Sequence, residues 1–178
     1  MLQISTMSKV LSVFFENPSK KFNLKEISTM LNLAHTSVKN ELNSLIKQKF
    51  ILVDFELRGK RKFPYYFVNL SNDSFFRFKK LYNLFILYDS GVIEFLKNKI
   101  MPNSIVLFGS FSRGEDLEES DIDLFIESEI KVIDLKKFEK KLKRKINLNF
   151  NSNINNLKKP FLNNLINGIV LYGGISLK

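Results

Sequence analysis

Apolar positions recur at helical spacing from Ile4 through Phe15 and stop at ENPSKKF, where Pro18 breaks the pattern. Asn23 is then placed to cap a second helix over LKEISTMLN, with Glu26 three residues on completing a capping box. A third segment, LAHTSVKNELNSLIKQKF, puts Val38, Leu42, Leu45 and Ile46 on one face. Only the short link from Asn32 to Ala34 separates it from the second, which leaves room for a helix-turn-helix. The period then changes: ILVDFEL and FPYYFVNL are β-branched and aromatic runs on either side of RGKRK, a hairpin with a basic tip.

After a polar break at Ser71, an apolar-periodic stretch runs to Ile100 with an interruption at DSGV, and it predicts one kinked helix or two shorter ones ending at Pro102. SIVLFG reads as a buried strand, GSFSRG as a glycine-bearing turn and DIDLFIE as a second strand. VIDLKKFEKKLKRK is a helix with Leu135, Phe138 and Leu142 inward, INLNF a short third strand, NLKKPFLNNLING a helix and IVLYGG a last strand. Strands and helices in this order predict an α+β chain with a small mixed sheet in its second half. The expected organisation is residues 1–70 as three helices plus a β-hairpin, 71–101 as a helical linker and 102–178 as a second domain.

Composition narrows the chemistry. Of 178 residues, 44% are hydrophobic, 18 are Phe and none is Trp, too apolar for a disordered chain. No apolar run approaches the ~20 residues that span a bilayer, and MLQISTMSKV lacks the order of a signal peptide, so the expectation is a cytoplasmic protein with no membrane partner. There is no Cys and one His, His35, so any bound metal must be held by oxygen.

The net charge of +10 is uneven: residues 1–80 carry +8 and residues 81–178 carry +2. The first seventy residues resemble winged-helix regulators, and the resemblance implies DNA as a partner. It places His35, Thr36, Ser37, Lys39 and Asn40 at the start of a recognition helix, where such modules reach base edges, and Arg58, Lys60, Arg61 and Lys62 on a wing that contacts phosphates. Helix-turn-helix folds also serve as protein-interaction modules, and a capping or surface role for His35 is equally open.

Against this basic background, every ionisable residue from Glu115 to Glu129 is acidic. A solvated face is one explanation and a metal site is the other; Glu115, Asp116, Glu118 and Glu119 are read as solvated charges. Asp121 and Asp123 differ, because residues two apart on a strand share a face about 7 Å apart. Two such carboxylates repel unless a cation sits between them, and oxygen ligation with few protein donors suits Mg²⁺ bound together with substrate phosphates. Upstream, Gly109 lets the backbone approach a phosphate, Ser110 offers a hydroxyl and an amide, and Arg113 adds a cation.

A buried strand, GS, ten intervening residues and DID resemble the signature of the DNA polymerase beta-like nucleotidyltransferase superfamily, and most closely its minimal nucleotidyltransferases, which include antitoxin partners of HEPN toxins. The resemblance covers about Ile105 to Tyr172. It implies that Gly109, Ser110, Arg113 and Ser120 contact a nucleoside triphosphate, and that Asp121 and Asp123 ligate Mg²⁺ in a two-metal site. It further implies that a hydroxyl attacks the α-phosphorus as pyrophosphate leaves. The family's third carboxylate falls here on Asn147, which can ligate a metal but cannot take a proton at neutral pH. Two functions therefore stand open. One is a nucleotidyltransferase joined to a DNA-binding domain, with a protein acceptor such as a HEPN-type toxin and room for a homodimer. The other is a winged-helix regulator whose nucleotidyltransferase fold is inactive.

Overall fold

Ser5 accepts a hydrogen bond from the Ser8 amide at 3.1 Å and so opens α1 (Thr6–Glu16) in the computed structural model, which describes residues 5–176. Ile4, where the apolar periodicity begins, lies outside the described residues. The capping box forms as the sequence predicts: Glu26 N donates to Asn23 Oδ1 at 3.0 Å and Asn23 N to Glu26 Oε2 at 2.7 Å, fixing the start of α2 (Leu24–Leu31). Asn32 takes the left-handed conformation at φ 51°, and three residues later α3 (His35–Lys47) begins, with Val38, Leu42 and Leu45 wholly buried and Ile46 half-buried.

The hairpin is longer than its apolar runs. Its strands β1 (Ile51–Arg58) and β2 (Arg61–Val68) pair antiparallel up to Arg58 opposite Arg61, leaving only Gly59 and Lys60 in the turn. Phe22 adds a bridge, exchanging backbone hydrogen bonds of 2.9 and 2.8 Å with Tyr66, and its ring meets Phe14 edge-on at 5.9 Å. Three helices and a hairpin thus share one apolar interior. The chain divides between Phe76 and Arg77 into this unit and a second one.

Helix α4 (Asp73–Ser90) begins in the first unit and continues into the second, where Gly91, at φ 80°, separates it from α5 (Val92–Ile100). The expected linker stretch therefore supplies core: Leu87, Val92, Ile93, Leu96 and Ile100 pack with Ile105, Leu107 and Leu124. Burying each such side chain contributes roughly 1.5–3 kcal/mol.

The sheet of the second unit has the order β5-β4-β3-β6: β3 (Ser104–Phe108), β4 (Ile122–Glu127), β5 (Ile146–Asn151) and β6 (Ile169–Gly173). β3 runs antiparallel to both of its neighbours, while β4 and β5 are parallel, so the sheet is mixed. The parallel pair is joined by α7 (Lys136–Leu142), which covers the core with Phe138 and Leu142. α7 is shorter than the sequence pattern, because the Lys136 amide bonds Asp134 Oδ1 at 3.0 Å and holds the preceding residues in a turn.

Alternation assigns the faces. Ile122, Leu124 and Ile126 meet the α5 and α7 side, whereas Phe125 joins Val106 and Phe108 on the other. That second face is covered by Leu165 and Phe161 of α8 (Lys159–Ile166), with a 3-10 turn at Ile154–Asn156 beside it. Its remaining end, before Phe125, carries Asp123. Among the described residues no helix is long and apolar enough to cross a membrane.

Candidate active site

Asp123 stands on the open end of that face, with Phe108 of β3 opposite it on one side and Asn147 of β5 on the other. Asp121 precedes the strand by one residue. Asn147 Nδ2 donates to Asp121 Oδ2 at 3.1 Å and to Asp123 Oδ1 at 3.2 Å, so a single amide group bridges both carboxylates. The three residues singled out in the sequence are therefore one constellation. Gly109, the first residue of the short helix α6 (Gly109–Arg113), closes it from the β3 side. Its φ is 76°, and a Cβ built there would lie 2.6 Å from Asp123 Oδ2. Both facts require glycine: the backbone conformation excludes most side chains, and the carboxylate occupies the space one would take.

Ser110 follows Gly109 at the same turn, half-buried beside the carboxylates' strand. Arg113 is turned to the surface, where its Nε meets Glu115 Oε2 at 2.6 Å. Ser120 Oγ accepts the Leu117 amide at 2.9 Å, so this hydroxyl shapes the turn leading into Asp121. A cleft of about 500 Å³ borders Asp121, lined by Glu119, Ser120, Lys143, Arg144 and Lys145 among others; its charges suit a polar ligand.

Asp116 is not the solvated charge that its place in an acidic run suggests. Its side chain is fully buried, with Lys79 Nζ 3.2 Å from Oδ1, Asn83 Nδ2 donating to Oδ1 at 2.7 Å, and Arg144 Nη2 3.0 Å from Oδ2 as an ion pair out of hydrogen-bond line. Lys79 also donates to the Asp116 carbonyl and Asn83 to the Phe111 carbonyl, while Arg144 Nη1 donates to the carbonyls of Leu117, Glu118 and Ser120. The loop from α6 to Asp121 is thus held by three side chains from distant parts of the chain. Burial pushes the Lys79 ammonium below its ordinary pKa, and the Asp116 carboxylate opposes that shift. Sequence reasoning missed these residues, although one signal was available: Lys79 and Asn83 fall at i, i+4 in line with Phe75 and Leu87, polar residues inside an apolar helical stripe.

The donor set can be compared with the cation it is expected to hold. Two carboxylates at the start of β4 and the Asn147 side chain on neighbouring β5, beside a backbone that only glycine permits, are a donor set that suits Mg²⁺ completed by phosphate oxygens and water. Among the described residues no group of three or more His, Cys, Asp or Glu side chains is arranged to hold a metal.

In the first unit, His35, Thr36, Ser37, Lys39 and Asn40 all lie exposed on the first turns of α3, while Val38 points into the core. Lys60, Arg61 and Lys62 are exposed at the hairpin tip. Arg58 is held by the hairpin itself, 3.1 Å from Glu56 and 2.7 Å from the Tyr65 hydroxyl, and its guanidinium lowers the Glu56 pKa through that hydrogen bond.

Residues 90–173 match the model of the nucleotidyltransferase domain family. The match takes in α5, in keeping with its place in the core. A relative named "Putative protein adenylyltransferase" in Methanocaldococcus jannaschii is 56% identical over 34 residues, 19% of this chain. Those residues span about a third of that relative's length (34%). No solved structure matches the chain. The family match falls within the second unit.

Gly109→Ala is expected to cost about 1–2 kcal/mol from its left-handed φ alone, plus displacement of Asp123, whereas Gly174→Ala, with open space around it, is expected to be near neutral. Urea denaturation of the two variants side by side measures the difference. Arg144→Met removes one cation from buried Asp116 and donors from three carbonyls, and is expected to cost about 3–5 kcal/mol in the same measurement.

Proposed function

We propose that the second unit is a Mg²⁺-dependent nucleotidyltransferase and the first a winged helix that binds DNA. The observation that carries the catalytic reading is the contact of Gly109 with Asp123, which joins the GS turn to the D-x-D strand in one site. Asp121 and Asp123 hold the ion, with Asn147 in the third carboxylate's place. The ion supplies positive charge that offsets the charge developing on the transferring phosphoryl group. The two carboxylates would balance the charge of one divalent cation. The amides of Gly109 and Ser110 and the Ser110 hydroxyl take phosphate oxygens.

An acceptor hydroxyl oxygen forms the new bond to the α-phosphorus as the bond from that phosphorus to the β-bridging oxygen breaks, and pyrophosphate leaves. The hydroxyl proton goes to water or a substrate phosphate, because Asn147 has no basic site. The name of the Methanocaldococcus relative supports ATP as the donor and a protein as the acceptor. A toxin regulated by this chain, of the HEPN type, is the acceptor class the sequence resemblance favours.

A second reading has one observation in its favour. The Asn147 amide donates to both carboxylates, and so supplies in a metal-free fold part of the compensation a cation gives. In that reading the unit binds nucleotide or a partner without transfer, and the chain is a winged-helix regulator. Mg²⁺ with ATP is expected to raise the melting temperature of the wild type by mass action, and Asp121→Asn with Asp123→Asn to abolish the shift. Asn147→Asp places a third carboxylate against the other two, so it should lower stability without Mg²⁺ and bind the ion more tightly. Single-turnover transfer from labelled ATP, with Asp121→Asn as blank, separates the readings. Transfer in the wild type, rising up to about 10²–10⁴-fold in Asn147→Asp, supports the enzyme. Silence in both, with the acceptor and all four nucleotides present, supports the regulator.

DNA binding is tested at the wing. Neutralising Lys60, Arg61 and Lys62 is expected to lower the slope of log affinity against log salt by about one per residue that contacts a phosphate, equally for all sequences. Arg58, already paired within the hairpin, should contribute less. An unchanged slope in the triple variant removes the wing from the interface.

A further inference from the structure

Helix α4 buries two polar side chains among its apolar ones and leaves four large apolar side chains substantially exposed. Lys79 and Asn83 are buried on its inner face with Phe75 and Leu87, whereas Phe78 is 50% exposed, Leu81 61%, Phe85 38% and Tyr88 52%. These four residues are spaced three, four and three apart, the a/d repeat of a helix–helix seam. They form one stripe, unlike the exposed apolar residues scattered over any protein surface.

The charges that flank the stripe favour one orientation of self-pairing over the other. Turned antiparallel about the level of Asn83, the stripe sets Phe78 against Tyr88 and Leu81 against Phe85 of a second copy, large beside large and Leu beside aromatic. The same register brings Arg77 to Asp89 at both ends. A parallel pairing sets Arg77 level with Arg77 and Asp89 level with Asp89, stacking like charges. Asp89 also meets Lys141 of its own chain at 3.2 Å, but it is 61% exposed and a carboxylate accepts from both cations.

We infer that two copies of this chain associate through α4 as an antiparallel pair centred on Asn83, which gives the homodimer its geometry. Each aromatic side chain offers roughly 150–250 Å², about half of it still in water here, so one helix pair buries several hundred Å² per copy. That is the low end of specific interfaces, and the dimer is reversible, with a Kd on the order of micromolar.

The experiment uses the full chain in a concentration series by sedimentation equilibrium. The mass should rise from 20.8 kDa toward twice that value, and Leu81→Asp should weaken the association by about tenfold or more. Leu81 is exposed, so the variant's thermal melt should match that of the wild-type monomer, which separates lost pairing from lost fold. Orientation is read by disulfide trapping, which is clean because the chain has no cysteine. Leu81→Cys mixed with Phe85→Cys should yield the heterodisulfide ahead of either homodisulfide. A chain monomeric to about 100 µM, a dimer indifferent to Leu81→Asp, or predominant homodisulfides each overturns the inference. An α4 stripe covered by another part of the chain gives the first of these results.

Discussion

Two carboxylates held on one face of one strand repel each other, and the second unit is arranged around that repulsion. Asp123 cannot turn away, because its pairing with Asn147 of β5 and Phe108 of β3 fixes the pleat on both sides, and Asp121 sits one residue before that strand. The fold tempers the repulsion in two ways. The Asn147 amide donates to both groups, and the face is left open to water and counterions at this end while α8 seals it at Phe125. The same arrangement leaves an open face whose electrostatics a bound cation would improve. Function and folding stability make opposite demands on these two residues, as expected of binding sites.

Holding Asp121 in place requires the preceding loop to be rigid, and the loop is rigid because a charge is buried beneath it. Asp116 alone in an apolar interior would be prohibitive. With Lys79, Asn83 and Arg144 around it the carboxylate is compensated, and the spare donors of those side chains reach the loop carbonyls. An apolar cluster of the same volume could match or exceed the stability of such a buried group. It could not donate to the Leu117, Glu118 and Ser120 carbonyls as Arg144 does. Specification of the loop path, more than net stability, accounts for burying these charges.

Much of the fold was legible because its signals were local. The Asn23 and Glu26 capping box, the apolar face of α3, the alternation in β4 and the inward Leu135, Phe138 and Leu142 all follow from spacing within one element. The candidate site was legible for a different reason. Glycine, serine and two aspartates occur at separations that have meaning only when a turn follows a strand and precedes another, and the sheet brings them together as that pattern implies. What remained hidden was non-local. Asp116 sits in a run of acids that looks solvated, and its two cations lie 37 residues before it and 28 residues after it. No period along the chain links those positions. Likewise, the pairing of Arg58 with Glu56 and Tyr65 depends on a hairpin register that extends through residues whose charge argued for a loop.

Helix α4 shows how one constraint produces another. Its inner face must accept Lys79 and Asn83, because they secure the loop that carries Asp121, so that face gives up part of the apolar burial a core helix ordinarily provides. The helix must nevertheless be persistent, since its two polar anchors act one turn apart and lose their aim if the turn frays. Four large apolar residues on the outer face support helix formation through i, i+3 and i, i+4 contacts, but leave surface that water does not favour. Covering that surface with a second copy would add order to the helix without using its inner face. Pairing and site geometry would then draw on one rigid element, and stiffening α4 from outside would also stiffen the anchors of the loop within.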